Sequence, residues 1–240
     1  MEKIYTTDKA EFYSKTHAKW ILAGEHAVLR GHPALVFPIP CKFIELFYWQ
    51  DETRPLSIHF DETPTETFMM LFWTILEEGL KLLELKQSVL KGHLQLINRI
   101  PMGAGMGFSA AFCVSLARWF QWSGWLRTED CFDFARELEN HFHGKSSGVD
   151  IAGALAEEGK HFQIQGPRYD LKLQWRPLLY LSYSGEASVT TKCISQVQAL
   201  WESQPVQAQM IDLQMAEAVA LAEQSLNLDA DKGLKLLKAA

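Results

Sequence analysis

The order of hydrophobic patterns along the chain predicts an α+β fold. His93-Leu94-Gln95-Leu96-Ile97-Asn98 alternates polar and apolar residues, the period of a half-buried strand. Phe68 to Leu85 instead sets apolar side chains at positions 68, 71, 72, 75, 76, 80 and 83, the stripe of an amphipathic helix. From Thr191 onward the pattern is helical throughout. Strands and helices mixed in this order, followed by a helix-rich tail, fit neither an all-α nor an all-β chain.

The remaining elements follow from the same periods. Phe43 to Trp49 reads as a strand that runs into an acidic, proline-containing turn, Asp51 to Pro55. After a glycine-rich stretch, Ser109 to Trp122 reads as a helix. Its Phe112, Val114, Leu116, Ala117, Trp119 and Phe120 leave it apolar on most sides, which predicts a central position. A second helical run extends from Glu129 to about His143, and the apolar stretch Ile151 to Ala156 begins beside Asp150. His161 to Ile164 and Leu178 to Leu181 read as short strands. The aromatic group Trp119, Phe120, Trp122 and Trp125 is expected in the core or in a dimer patch, since no basic residues are interleaved with it. There is no internal repeat and no low-complexity segment.

Composition narrows the class. At 240 residues, 48% hydrophobic and 22% charged, the chain can build one large domain or two modest ones. A net charge of −6 disfavours a general nucleic-acid surface. Cys41, Cys113, Cys131 and Cys193 form no C-x-x-C pair and read as reduced, mostly buried thiols. The longest apolar run, Phe68 to Leu76, is far shorter than the ~20 residues that span a bilayer. Met1-Glu2-Lys3-Ile4-Tyr5 contains no apolar signal core. The expectation is a cytoplasmic protein that binds neither membrane nor nucleic acid.

The stretch Ile100-Pro101-Met102-Gly103-Ala104-Gly105-Met106-Gly107-Phe108-Ser109-Ala110-Ala111 carries the most chemistry. Three glycines at alternate positions, between a strand pattern and a helix pattern, let backbone N–H groups approach an anion at a helix N-terminus. A Walker loop needs Lys and then Ser or Thr after its last glycine, and Phe108-Ser109 does not supply them. Gly105, Gly107 and Ala110 satisfy the dinucleotide pattern formally. That pattern also needs a second strand ending in an acid about 20 residues on, where this chain has helices and Glu129 and Asp130 at a helix start. His141 and His143 form an H-x-H pair with no neighbouring cysteine, an unconvincing zinc site.

The loop resembles the P-x-x-x-G-L-G-S-S-A-A signature of the GHMP kinases, the galacto-, homoserine, mevalonate and phosphomevalonate kinases. Met106 stands for the Leu and Phe108 for the first Ser. Two further segments carry the resemblance. Lys19-Trp20-Ile21-Leu22-Ala23-Gly24-Glu25-His26-Ala27-Val28-Leu29 is similar to the family's K-x-x-L-x-G-E-H-x-V. Glu139 followed by His143-Gly144-Lys145-Ser146-Ser147-Gly148-Val149-Asp150 resembles E…H-G-x-P-S-G-x-D, the form found in the mevalonate kinase branch. Order and approximate spacing are kept, and the resemblance spans residues from about 15 to 195.

The resemblance implies an ATP- and Mg²⁺-dependent kinase acting on the primary hydroxyl of a small molecule, mevalonate before other acceptors. Residues Gly103, Ala104, Gly105, Met106, Gly107, Phe108, Ser109 and Ala110 would bind ATP, with Ser109 and Glu139 as side-chain ligands of Mg²⁺. Asp150 would take the acceptor's proton. Lys19 beside it would favour the charged carboxylate and stabilise the attacking oxygen. Glu25, His26 and Thr191, the last in a Thr190-Thr191-Lys192 element, would face the acceptor. Blander readings stand beside these: a helix N-cap for Ser109 or Asp150, a solvated helix-face carboxylate for Glu139, a strand-edge surface lysine for Lys19. A structural histidine is the alternative for His26.

Two departures weigh against the enzyme. Phe108 puts a ring where the family has a small hydroxyl residue, either crowding the γ-phosphate or turned into the core. After Gly185 the only glycine is Gly233, so the family's third glycine-rich motif is absent. The implied fold is therefore two α+β domains, 1–174 and 175–240, with the second, ferredoxin-like one incomplete. A non-catalytic relative that binds nucleotide, or a truncated kinase, is the alternative reading. Apolar helix faces left uncovered in such a domain would favour a homodimer.

Overall fold

The computed structural model describes residues 5–144, 146–185 and 190–240, with the side chains of Thr67, His143 and 190–194 outside the description. It is a mixed α/β structure, as the patterns predict. Its strands are β1 (Phe12–Ala23), β2 (Ala34–Trp49), β3 (Ser57–Phe60), β4 (His93–Asn98), β5 (Lys160–Phe162) and β6 (Arg168–Asp170). Its helices are α1 (Glu66–Leu82), α2 (Phe108–Trp122), α3 (Cys131–His143), α4 (Val149–Leu155), α5 (Thr190–Ser203), α6 (Pro205–Leu226) and α7 (Ala230–Leu237). The chain gathers into two compact units, each assembled from separate segments. The first holds residues 1–18, 39–100 and 108–146, and the second holds 19–38, 101–107 and 147–240.

In the first unit the latter half of β2 pairs antiparallel with β4, from Ile44↔Asn98 to Trp49↔His93, and β4 pairs parallel with β3. β4 has the bounds its alternation predicts, with Leu94 and Leu96 buried on one face. α1 buries Phe72, Ile75, Leu76 and Leu80 of its stripe, and the Thr65 hydroxyl caps it by accepting from Phe68 N–H at 3.2 Å. α2 is the central helix. Phe112, Val114, Leu116, Ala117, Trp119 and Phe120 are all buried, and α2 packs along α3.

In the second unit the start of β2 pairs antiparallel with β5, which forms a hairpin with β6. Leu35 of β2, Leu171, and Val219, Ala222 and Leu226 of α6 make its core. α6 opens with Pro205 at its first position, where the missing N–H costs no helical hydrogen bond. The helical tail is as the sequence predicts.

Two expectations are corrected. Leu178–Leu181 is not a strand: it has no regular structure and its side chains are exposed. β-propensity alone does not make a strand without a partner ladder, and none pairs with this stretch among the described residues. Nor are the described thiols mostly buried, since Cys113 is buried, Cys131 half-buried and Cys41 exposed, while the Cys193 side chain lies outside the described residues. Among the described residues no helix is long and apolar enough to cross a membrane.

Candidate active site

Lys19 is the hinge of the second unit's constellation. It lies toward the end of β1, and its backbone N–H donates to Met106 O at 2.9 Å, tying the glycine-rich loop to the strand. Its side chain, only 5% exposed as a residue, threads between two glycines. A Cβ on Gly107 would stand 2.6 Å from Lys19 Cγ, and one on Gly153 of α4 would stand 2.8 Å from Lys19 Cβ. Gly107 also has φ +74°, a conformation that glycine takes without strain. Only the absence of both side chains leaves room for the lysine stem. The stem delivers Nζ to Asp150 Oδ1 at 2.9 Å.

Asp150 is therefore no N-cap. Gly148 is the residue before α4, and Asp150 sits in the helix's first turn with its side chain 27% exposed. The arrangement is a buried ammonium holding a partly open carboxylate, which fixes the carboxylate's direction while leaving it reachable. Lys19 is likewise no strand-edge surface residue.

The loop itself, Pro101–Gly107, holds Gly103, Gly105 and Gly107 at φ 76°, 71° and 74°. Gly103 and Gly105 are exposed, Ala104 and Met106 half-buried, and the chain runs from Gly107 directly into α2. The first-turn N–H groups of α2 have no intrahelical acceptor, the usual condition for anion binding at a helix start.

In the first unit, Phe108 turns its ring into an aromatic cluster, 5.7 Å from Phe68 and 6.2 Å from Phe112 between centroids. Of the two directions open to this ring, the structure takes the core. Ser109 and Ala110 follow inside α2, both buried, so Ser109 is not an N-cap. Glu139 on α3 is 2% exposed, which removes the solvated-carboxylate reading. Ser146 Oγ donates to Glu139 Oε2 at 2.5 Å. Burial, and after it the charge of Glu139, pushes the Cys113 thiol well up. A buried carboxylate on α3 and a hydroxyl on the neighbouring helix α2 suit Mg²⁺, which takes few protein ligands and completes its shell with phosphates and water. No group of three His, Cys, Asp or Glu that could hold a metal occurs among the described residues.

Glu25 and His26 lie in a tight turn between β1 and β2 in the second unit, Glu25 exposed and His26 half-buried. Thr191 is in α5, and its side chain, like that of His143, lies outside the described residues. The zinc reading of the H-x-H pair has no support from the described half, since His141 lies 3.9 Å from Glu78 at the surface. Sequence reasoning missed Gly153 and Ser146. A glycine inside the apolar helix Val149–Leu155 is the available signal for the first, because such a residue usually answers to packing. Ser146 stands where the quoted motif has proline, and nothing in its surroundings in sequence points to the glutamate it contacts.

Comparison with known proteins bears on the same segments. Residues 71–158 match the family described as GHMP kinases N terminal domain. Mevalonate kinase of Thermococcus sibiricus is 25% identical over 239 residues, covering 91% of this chain and 71% of that protein. L. major mevalonate kinase, solved in complex with R-mevalonate, matches with a TM-score of 0.73 at 20% identity, covering 100% of this chain and 76% of that one. Streptococcus pneumoniae phosphomevalonate kinase, solved with phosphomevalonate and AMPPNP, gives 0.69 at 16% identity, covering 95% and 78%. The structural likenesses, at such identities, establish the fold.

Proposed function

We propose that this chain, whose residues 71–158 match the GHMP kinases N terminal domain and which shares the fold of mevalonate kinase structures, transfers the γ-phosphoryl group of ATP to a primary hydroxyl, with mevalonate as acceptor and 5-phosphomevalonate as product. The observation that carries the reading is the Lys19–Asp150 pair at 2.9 Å, built from the strand whose backbone also holds the glycine-rich loop. Phosphoryl transfer asks a protein chiefly to position two partners and to neutralise developing charge.

In this reading the amides of Gly103 to Ser109, followed by Ala110 in the first turn of α2, hold the β- and γ-phosphates. Ser109 and Glu139 would hold Mg²⁺, which would offset negative charge on the phosphates. Asp150 accepts the proton of the acceptor hydroxyl as its oxygen bonds to the γ-phosphorus. The bond from that phosphorus to the bridging oxygen breaks, and ADP leaves. The Lys19 ammonium, fixed by its glycine-lined channel, stabilises negative charge on the attacking oxygen. Glu25, His26 and Thr191 would meet the rest of the acceptor. The mevalonate bound by the L. major relative supports that acceptor, and the AMPPNP bound by the pneumococcal relative supports the nucleotide. Phe108, with its ring in the aromatic core, offers no argument for the non-catalytic alternative.

The test is ADP release by the purified chain with Mg²⁺ and ATP, in the presence of mevalonate, phosphomevalonate, galactose or homoserine. Release that depends on mevalonate supports the reading. Nucleotide binding without turnover on any acceptor would replace it with the non-catalytic one.

A further inference from the structure

The turn that carries Glu25 and His26 is gripped by a part-buried ion pair that the proposed chemistry does not use. His26 has φ 64° and ψ −45°, and Ala27 N–H donates to Glu25 O at 2.8 Å, which together make a three-residue γ-turn of the positive-φ kind. That backbone is rare for a residue with a side chain and persists only where the surroundings over-determine it. They do so here from three sides. Gly24 lies so close to the following strand that a Cβ would stand 2.2 Å from Pro33 O. Gln163 Nε2, beyond β5, donates to Gly31 O at 2.7 Å.

The third hold is Arg30, at the end of the same turn. Its guanidinium grips Asp212 of α6 as a fork, Nη2 to Oδ1 at 2.5 Å and Nε to Oδ2. The Asp212 side chain is 3% exposed, while its helix neighbour Leu213 faces solvent. His32 Nε2 lies 3.9 Å from the same carboxylate, and the Trp201 ring of α5 lies 5.3 Å from the guanidinium carbon. A helix that buries its aspartate while a leucine stays outside is not arranged for stability alone. Replacing such a pair with apolar residues is often neutral or stabilising, so the pair's use is better sought in the geometry it fixes.

We propose that Arg30 and Asp212 are positioning residues for the acceptor side of the site. The pair holds the γ-turn at His26, and through it the direction in which Glu25 and His26 meet a small hydroxy-acid acceptor. This rests on the acceptor role given to Glu25 and His26 above.

The experiment uses the full chain and two variants, Arg30→Met/Asp212→Leu and Arg30→Lys. The double variant removes both charges and so avoids stranding one of them in the interior. The pair's loss is expected to raise acceptor KM by between about 10- and 100-fold, the scale on which a misplaced positioning group acts, with ATP KM unchanged. Arg30→Lys, a charge without the fork, should fall between wild type and the double variant. An unchanged acceptor KM in the folded double variant overturns the proposal, and so does an equal rise in both KM values. Amide hydrogen exchange at Ala27, Val28 and Leu29 gives a reading independent of turnover. Faster exchange in the double variant is expected, and unchanged exchange overturns the clamp. If the wild-type chain phosphorylates no acceptor, it is the proposed function that fails, and exchange alone decides whether the clamp exists.

Discussion

At the scale of single residues, the proposed chemistry depends on what surrounds the Lys19–Asp150 pair. Asp150→Asn keeps the size and removes the base, so turnover should fall by about 10² to 10⁴ while ATP affinity, from equilibrium titration, stays near wild type. Unchanged turnover would take Asp150 out of the mechanism. Gly153→Ala tests the channel rather than the charge. Its methyl group would meet Val36 Cγ2 at 2.5 Å and Lys19 Cβ at 2.8 Å, so something must move, at a cost of about 1–3 kcal/mol. Turnover should drop with the lysine's displacement although no charged group is altered. Phe108→Ser restores the family's residue type but empties a place in the aromatic cluster of Phe68 and Phe112. Denaturant unfolding should show a loss of about 3 kcal/mol or more, with no gain in rate. A faster, equally stable variant would mean that the ring impairs the loop after all.

At the scale of elements, legibility followed the strength of the period. β4 was readable to the residue because hydrocarbon alternates with polar groups from His93 to Asn98. The stripe of α1 and the apolar girth of α2 were equally plain. β1 was not, for a specific reason: its inward positions after Phe12 are Ser14 and Thr16, hydroxyls rather than hydrocarbon. Thr16 is paid no hydrophobic reward but accepts hydrogen bonds from Ser115 and Arg118, which no hydropathy pattern reveals. Leu178–Leu181 failed in the opposite sense, with a strong local signal and no ladder to join. β4 also makes a pH prediction. Burial, and after it the neighbouring charge of His59, holds the His93 imidazole below its usual range. The unfolded chain then takes up this proton first as the pH falls. The stabilisation is complete above the ordinary histidine value of about 6.5 and is lost as pH falls through the depressed folded value. Melting temperature should therefore decline between pH 7.5 and 5.5 more in wild type than in His93→Gln. Parallel curves would remove His93 from the acid sensitivity.

At the scale of the whole molecule, the three motifs were legible because each keeps its residue types in order along the chain, whatever the fold does between them. What the sequence could not show was how the lysine reaches the aspartate. That depends on two glycines, Gly107 and Gly153, that come to lie on either side of one side chain, and on a loop whose Met106 carbonyl accepts a hydrogen bond from Lys19 N–H, far earlier in the chain. Nor could it show the Arg30–Asp212 pair, whose members are 182 positions apart. The most direct test of the account follows the phosphorus atom itself: ATP labelled in its γ-phosphate, Mg²⁺ and mevalonate are incubated with wild type and with Asp150→Asn. The expected result is label on mevalonate with the wild-type chain and a loss of nearly all of it with the variant. Label released only as inorganic phosphate, or transferred equally by both proteins, would contradict it.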